Sequence, residues 1–213
     1  MTQARPATAT SPFWDRIARK YAARPIGNMA AYEKTLSQTR AYLTPTDRVL
    51  EIGCGTASTA LLLAPDVAQY TASDISAEMV AIGREKAETA QVDGLTTVQG
   101  TLGDPALGAG PFDAVLAFNL LHLMPDPGAE ARKVHALLRP GGVFISKSAC
   151  LSGWRMVLRP LIGVMQLLGK APYVRFMSVA ALERMIRDAG FEIVESNDPS
   201  GSVSGRFIVA RKL

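Results

Sequence analysis

Two features of the sequence place residues where they could bind a nucleotide-like ligand. Residues 49–59 read VLEIGCGTAST and lie between a short apolar run and a helical pattern. Glycines in such a turn let the backbone adopt positive φ and approach a ligand closely, and the N–H groups at the start of the next helix can bind an anionic group. Asp74 ends the following apolar run, where a carboxylate can accept hydrogen bonds from both hydroxyls of a ribose.

The residues of this turn leave more than one interpretation open. A tight strand-to-helix turn without a ligand would have the same glycines, and Asp74 would then be a solvated cap of the next helix. A nicotinamide-binding turn normally has the pattern G-x-G-x-x-G. Ser58 stands at the position of its third glycine, and this departure counts against a dehydrogenase.

The elements around the turn alternate between short apolar strands and amphipathic helices. We predict strands at residues 49–52, 67–73, 95–99, 112–118, 143–148, 191–196 and 206–211. We predict helices at residues 13–21, 28–43, 59–63, 76–90, 128–138 and 178–189. Alternation gives parallel pairing through right-handed crossovers, whereas the short polar connection 197–205 makes the last two strands antiparallel. The prediction is an α/β fold with a Rossmann-like, doubly wound, seven-stranded sheet, N-terminal helices and a helical insertion after strand five.

Length and composition indicate how the chain is organised. We expect a disordered tail at residues 1–12 and a single domain at residues 13–213, with an N-terminal helical cap at 13–44 and a helical lid insertion at 151–177. A content of 48% hydrophobic and 20% charged residues is typical of a globular protein. The net charge of +4 is mildly basic, but the basic residues are scattered, so we expect no nucleic-acid partner. Two cysteines without metal-site spacing indicate a reduced, cytoplasmic setting and no metal.

Five segments in order carry a resemblance to a known family. VLEIGCGTAST, YTASDISAEMV, FDAVLAFNLLHLMPD, LLRPGGVFIS and AGFEIVE resemble the successive motifs of class I methyltransferases that depend on S-adenosylmethionine (SAM). The resemblance runs from about Asp47 to the last residue and is specific as a set. It implies the strand order 3-2-1-4-5-7-6 with strand 7 antiparallel. It also implies SAM as methyl donor, S-adenosylhomocysteine (SAH) as product, and a small single-domain enzyme of the small-molecule, lipid or quinone type.

The same resemblance implies a set of donor-binding residues. By similarity, Gly53 and Gly55 line the methionine part of the donor and Glu51 orients the loop and the amino group. Asp74 binds the ribose, and the adenine lies among hydrophobic and polar side chains that follow strands two and three. The full implied set is Glu51, Gly53, Cys54, Gly55, Asp74, Ile75, Met79, Thr101, Leu102 and Asn119, the last through its backbone.

Two positions depart from the family pattern. Ala57 stands at the third glycine, and a Cβ in a left-handed conformation costs roughly 1 kcal/mol. We therefore expect a modestly tightened loop with binding retained. The family often has an acid after strand three, where this chain has Thr101. A threonine hydroxyl can still accept a hydrogen bond from an adenine amine, and Asp104 is a candidate substitute for the acid.

Methyl transfer from a sulfonium needs few catalytic groups. The enzyme mainly holds the nucleophile and the methyl carbon roughly 3–3.5 Å apart and in line, and a general base is needed only for a hydroxyl, thiol or protonated amine. His122 follows strand four and is the candidate base, although a histidine that only packs beneath the site is the alternative. Tyr21 resembles an N-terminal tyrosine that covers the donor in related enzymes, and a tyrosine on the packed face of a helix is its alternative.

The insertion at 151–177 is the candidate cover of the acceptor. It carries apolar residues and positive charge at Trp154, Arg155, Met156, Leu158, Arg159, Leu161, Met165, Leu168, Lys170 and Arg175. Arg155 and Arg159 would each cost roughly 2.5–3.5 kcal/mol at a bilayer centre, and Pro160 and Gly163 interrupt the apolar run, which argues against a transmembrane span. The segment is either an interfacial helix that admits a lipid or quinone-like acceptor or an amphipathic helix over a small-molecule pocket, and the second is favoured.

The leading hypothesis is an enzyme that moves a methyl group from SAM to a small or amphiphilic acceptor by in-line displacement. One alternative is a lipid or quinone methyltransferase that works at a membrane surface. A SAM-binding protein without turnover is the other, because Ala57 and Thr101 depart from the family pattern. We expect a cytoplasmic protein that is peripheral to the inner face of a membrane if residues 151–175 contact lipid.

Overall fold

A seven-stranded sheet forms the centre of the computed structural model, which describes residues 11–152, 156–157, 159–199 and 205–213. The strands are β1 Arg48–Ile52, β2 Gln69–Asp74, β3 Leu95–Gln99, β4 Phe112–Phe118, β5 Leu138–Ala149, β6 Phe191–Asn197 and β7 Gly205–Lys212. Their order is β3-β2-β1-β4-β5-β7-β6. β7 is antiparallel to β5 and β6, and the other pairs are parallel. The predicted α/β fold, strand order and antiparallel seventh strand are confirmed.

Helices pack on both sides of the sheet. They are α1 Ser11–Ala22, α2 Met29–Arg40, α3 Ala60–Leu63, α4 Ala77–Ala90, α5 Pro127–Leu137, α6 Arg159–Leu167 and α7 Val179–Asp188. Four of them begin at a side chain that accepts a backbone N–H of the first turn, and these caps are Asn28, Ser76, Asp126 and Ser178. Such caps satisfy N–H groups that have no partner within the helix.

Several boundaries differ from the prediction. Helix α1 includes Ser11 and Pro12 of the predicted tail, and the Ser11 hydroxyl lies within hydrogen-bonding distance of Asp15 and of the carbonyl of Ile75. Residues 1–10 lie outside the described chain. β5 begins at Leu138, not at residue 143, since Leu138 pairs with Phe112 across an irregularity in the ladder. The sequence did not predict this extension, because Pro140, Gly141 and Gly142 are residue types that usually mark a turn.

The sheet is buried on both faces, as parallel sheets generally are. Leu50, Val115 and Phe144 lie on one face and pack with residues of α5 and α7. Val49, Leu116 and Ile145 lie on the other and pack with α2 and α3. Successive side chains alternate between the two packed faces, so burial is nearly continuous along β1 and β4. The carboxyl ends of the strands remain as the edge where loops can form a site.

Helix α1 connects two distant parts of the fold. Its Ala18 is buried against Met79 and Ile82 of α4. Asp15 Oδ1 accepts a hydrogen bond from Ser76 Oγ at 2.6 Å, which fixes α1 at the first turn of α4. One residue further on, Arg16 Nη2 donates to the carbonyl of Gly169 at 2.5 Å. The cap helix thus links the start of α4 to the segment that follows α6.

Helix α6 lies within the predicted insertion and has no buried residue. Leu161, Val164 and Leu167 are more than half exposed, at 58%, 54% and 89%. Among the described residues, no helix is long and apolar enough to cross a bilayer. Four residues of the predicted lid, Gly153, Trp154, Arg155 and Leu158, lie outside the described chain.

Asp15→Ala tests the docking of α1. A hydrogen bond to a charged group contributes roughly 1.5–3 kcal/mol, so we expect the amides of α1 to exchange about 10–100-fold faster while those of β1 and β4 are unchanged. Hydrogen exchange followed by mass spectrometry checks this. Glu33→Ala, which removes an exposed acid of α2, is the matched control, and unchanged exchange in α1 of Asp15→Ala would contradict the account.

Candidate active site

A cavity of about 1240 Å³ opens at the carboxyl ends of β1, β2 and β4. This edge of an open α/β sheet is where ligands generally bind. The structure brings together in the cavity lining all ten residues of the implied donor set, which are Glu51, Gly53, Cys54, Gly55, Asp74, Ile75, Met79, Thr101, Leu102 and Asn119. Tyr21 also lines it, whereas His122 does not.

Asp74 fastens the glycine-rich turn to the start of α4. Its Oδ2 accepts the N–H of Gly55 and its Oδ1 the N–H of Ser76, both at 2.9 Å. Burial raises the pKa of Asp74 above its usual value, against the effect of these two backbone bonds. Each carboxylate oxygen can accept a further hydrogen bond, so Asp74 can still receive hydroxyl donors from the cavity.

Glu51 is a second carboxyl group in the cavity lining. It is buried, and Tyr70 donates its hydroxyl to Oε2 at 2.8 Å. Burial, with the charge of Asp74, raises the pKa of Glu51 to about 8. A cationic ligand beside this group would favour its ionised form, which makes Glu51 a fitting partner for a protonated amine.

The glycines of the turn provide room for close approach. Gly53 and Gly55 have φ of +65° and +55°. A Cβ at Gly53 would lie 2.6 Å from Cδ1 of Leu120, and one at Gly55 would lie 3.7 Å from Cε1 of Tyr21. The ring of Tyr21 therefore lies over the turn, and any side chain at Gly55 would project into the space beneath it.

Ala57 adopts the left-handed conformation of the glycine it replaces, with φ of +56°. Its Cβ fills space that a glycine of α4 leaves open, because a Cβ added to Gly83 would lie only 2.9 Å from it. Lys86, one turn later on α4, donates to the carbonyl and hydroxyl of Thr56 and to the hydroxyl of Ser58 at 3.0–3.3 Å. Helix α4 thus accommodates the extra methyl group and holds the turn, a compensation that the motif alone did not reveal.

The far end of the donor cavity is formed after β2 and β3. Met79 is buried, and Ile75, Thr101 and Leu102 lie beside it in the lining. Asp104 does not line the cavity, since its Oδ1 accepts the N–H of Ala106 and caps a short 3₁₀ turn. Thr101 is therefore the polar side chain available at this end, and Asp104 does not replace the missing acid.

Asn119 occupies the bend after β4. It has φ of +56°, and its N–H donates to the carbonyl of Lys147 at 2.6 Å. This left-handed residue turns the chain into the cavity, which places its backbone in the lining, as the family resemblance implies.

His122 is directed away from the cavity. Its Nδ1 accepts the N–H of Ala149 at 3.4 Å, and burial lowers its pKa to about 4. Its carbonyl accepts the N–H of Arg175 at 2.7 Å. A neutral histidine with Nδ1 engaged in this way agrees with the packing alternative and gives no geometric support to a role as base.

Tyr21 lines the cavity and is half-exposed. Burial and the charge of Asp74 raise the pKa of its phenol. The hydroxyl therefore stays protonated near neutral pH, where it can donate a hydrogen bond but not accept a proton. This geometry agrees with a cover over the turn.

The other half of the cavity contains residues that the motifs did not identify. They come from α5, α6 and the segment after it, and they are Glu130, Lys133, Arg159, Gln166, Tyr173 and Arg175. Lys133 and Glu130 form an ion pair at 2.9 Å, and Arg175 donates to the carbonyl of Pro125. Only the charge and amphipathic pattern of the insertion indicated that this half would be cationic.

Comparison with known proteins identifies the family. A family profile described as a methyltransferase domain matches residues 15–196. The chain belongs to the class I SAM-dependent methyltransferases. SAM is accordingly its cofactor, and the paired carboxylates Glu51 and Asp74 beside a glycine turn fit the amine and ribose hydroxyls of that group.

Three similar proteins illustrate the range of this methyltransferase family. Ubiquinone biosynthesis O-methyltransferase of Xanthomonas axonopodis pv. citri strain 306 is 32% identical over 150 residues, which cover 68% of this chain and 63% of that protein. Demethylmenaquinone methyltransferase of Listeria welshimeri is 27% identical over 180 residues, covering 73% of this chain and 75% of that one. The structure of magnesium protoporphyrin IX methyltransferase from Synechocystis PCC 6803 with bound SAH has a TM-score of 0.75 and 20% identity, covering 97% and 99%, and shows the same fold.

Glu51→Gln tests the buried carboxyl group by its effect on stability. Because the folded protein holds this proton up to a pH of about 8 and the unfolded chain loses it near 4.5, ionisation opposes folding. We expect the free energy of unfolding of the ligand-free wild type, relative to Glu51→Gln, to fall as the pH rises from about 4.5 to about 8. Urea denaturation at a series of pH values measures this, and a pH-independent difference would contradict the raised pKa.

A double-mutant cycle tests the packing of Ala57 on Gly83. Gly83→Ala alone overpacks the contact and should destabilise the protein by about 1–3 kcal/mol. After Ala57→Gly the obstructing Cβ is gone, and the same change should stabilise α4 by up to about 1 kcal/mol, since alanine is the better helix former. Denaturation of the four proteins gives the coupling energy. If Gly83→Ala has the same effect in both backgrounds, the two residues do not compensate each other.

Proposed function

We propose that this protein transfers a methyl group from SAM to an amphiphilic acceptor of the quinone-precursor class, with an oxygen-bearing aromatic head. One observation carries the proposal: a single cavity has carboxylates Glu51 and Asp74 at one end and the cationic side chains Arg159 and Arg175 at the other. The first end suits a cationic donor, and the second suits an acceptor with anionic oxygens. Two relatives, one named for ubiquinone biosynthesis and the other a demethylmenaquinone methyltransferase, support this acceptor class.

The donor residues act by binding and orientation. When bound, SAM supplies a reactive methyl group on a sulfonium. In our proposal Glu51 binds the amine and Asp74 the ribose hydroxyls. Met79 and Ile75 pack on the adenine, with Thr101 at its edge. Preorganisation of these groups through α4 lowers the entropic cost of aligning the reactants.

Helix α1 closes the donor end in this proposal. Tyr21 covers the turn at Gly55, and the bond of Asp15 to Ser76 fixes the helix that carries it. A closed site excludes water, which strengthens electrostatic interactions within it. The cap helix therefore orders the donor side of the cavity for transfer.

In this proposal the cationic end of the cavity stabilises the ionised hydroxyl of the acceptor and does not itself supply a base. His122 has its Nδ1 engaged outside the cavity, Tyr21 stays protonated, and Glu130 is paired with Lys133. An acceptor whose hydroxyl ionises readily can lose its proton to water before the site closes, so no strong base in the cavity is needed, and the arginines would stabilise the oxygen anion that binds. We propose Arg159 and Arg175 for this role.

The exposed face of α6 is our candidate for contact with a membrane surface. Leu161, Val164 and Leu167 are more than half exposed, and the exposed Lys170 follows them. An amphipathic helix of this kind binds lipid by its apolar face and anionic head groups by its basic residues. In this proposal the protein is a cytoplasmic, peripheral enzyme that takes its acceptor from the bilayer.

Labelled SAM and fractionated cell extract test the proposed reaction. We expect label in the lipid pool with wild-type protein, loss of at least 90% of it (about a tenfold effect, roughly 1.4 kcal/mol) with Asp74→Ala, and no loss with Asp93→Ala, an exposed acid used as control. Label confined to the aqueous pool would contradict the amphiphilic acceptor. Binding of SAH without label in either pool would show a donor-binding protein without turnover.

A further inference from the structure

A second cavity of about 460 Å³ lies beneath α6 and adjoins the first. The two cavities share four lining residues, Arg159, Gln166, Tyr173 and Arg175. The lining residues beyond this junction are of apolar type, and they are Met156, Ile162, Gly163, Val174 and Phe176. Its volume falls within the roughly 300–1,000 Å³ of small-molecule sites, so a ligand could extend from one cavity into the other.

The inner face of α6 forms one wall of the second cavity. Arg159, Ile162, Gly163 and Gln166 line it, at the i, i+3, i+4 and i+7 spacing of one helix face. The opposite face carries the exposed Leu161 and Val164 described above. The inner face of α6 thus combines polar Arg159 and Gln166 with apolar Ile162, and it borders the second cavity, whereas the opposite face is apolar and exposed.

The side chains at the junction differ in how they are engaged. Gln166 donates to the carbonyl of Pro172 at 2.9 Å, and Arg175 donates to the carbonyl of Pro125. The side chain of Arg159 makes no hydrogen bond or ion pair with any residue that the structure describes. Its guanidinium therefore has hydrogen-bond donors available for a ligand at the point where the two cavities join.

Polarity changes in a fixed order along this path. Carboxylates lie at the donor end, Arg159 and its neighbours at the junction, and apolar side chains beyond it. A ligand that matches this order has an anionic or oxygen-bearing head with an apolar chain attached. We propose that the second cavity is a subsite for the apolar chain of the acceptor and that Arg159 binds the head at its entrance. This inference rests on the proposed function for the identity of the head.

Gly163 provides a way to fill the subsite without touching the donor end. A Cβ added there meets nothing within 4 Å, and the residue lies within α6. Gly163→Phe should therefore place its ring in the second cavity without backbone strain. Val164→Phe adds the same side chain to the same helix at a position that is 54% exposed and outside both cavity linings, and it is the matched control.

Calorimetry with the SAH-saturated protein tests the subsite. The probes are 4-decylcatechol, below its micelle concentration, and 4-methylcatechol, which share a head and differ in the chain. We expect the decyl compound to bind wild type at least tenfold more tightly. Gly163→Phe should abolish this advantage while leaving the dissociation constants of SAH and 4-methylcatechol unchanged, and Val164→Phe should retain it.

Other outcomes separate the subsite from the proposed function. Equal binding of the two catechols, or a chain advantage that survives Gly163→Phe or disappears in Val164→Phe, would overturn the subsite. Methylation of both catechols without a chain preference would leave the function intact and overturn the subsite as well. A chain advantage that depends on Gly163, with no methylation of either probe when SAM replaces SAH, would support the subsite while contradicting the proposed transfer to an oxygen-bearing aromatic head.

Discussion

The carboxylate of Asp74 is the constraint on which the rest of the site depends. It accepts N–H groups from both Gly55 and Ser76, so it joins the glycine-rich turn to the first turn of α4. The positive end of the α4 dipole stabilises a negative charge there. Because Asp15 bonds to the Ser76 side chain, the cap helix is fixed at the same point. Donor turn, supporting helix and cover are thus assembled around one side chain.

From that point the architecture separates donor and acceptor chemistry within one cavity. α4 supports the donor end through the room at Gly83 and the bonds of Lys86. Helix α1 bonds to Ser76 through Asp15 and to Gly169 through Arg16, and so it connects the donor end with the insertion. A change in the packing of the insertion can therefore shift α1 and with it Tyr21, the residue that covers the donor end.

Much of this could be predicted from the sequence because it depends on local patterns. Alternating apolar runs predicted the α/β class and the antiparallel last pair, whereas the family resemblance implied the strand order and the donor-binding residues, which do meet in one cavity. The direction of His122 could not be predicted, since it depends on how the short turn Leu121–Leu123 packs against β5. The second cavity could not be predicted from the sequence either, because it forms only when α6 packs against residues 173–176.

Calorimetric titration with SAH tests the central claim most directly, since it needs neither an acceptor nor turnover. The account predicts one site per chain in the micromolar range and at least tenfold weaker binding for Asp74→Ala, equivalent to about 1.4 kcal/mol, with circular dichroism confirming that the variant is folded. An absence of binding to the wild type, or an unchanged affinity in folded Asp74→Ala, would contradict it.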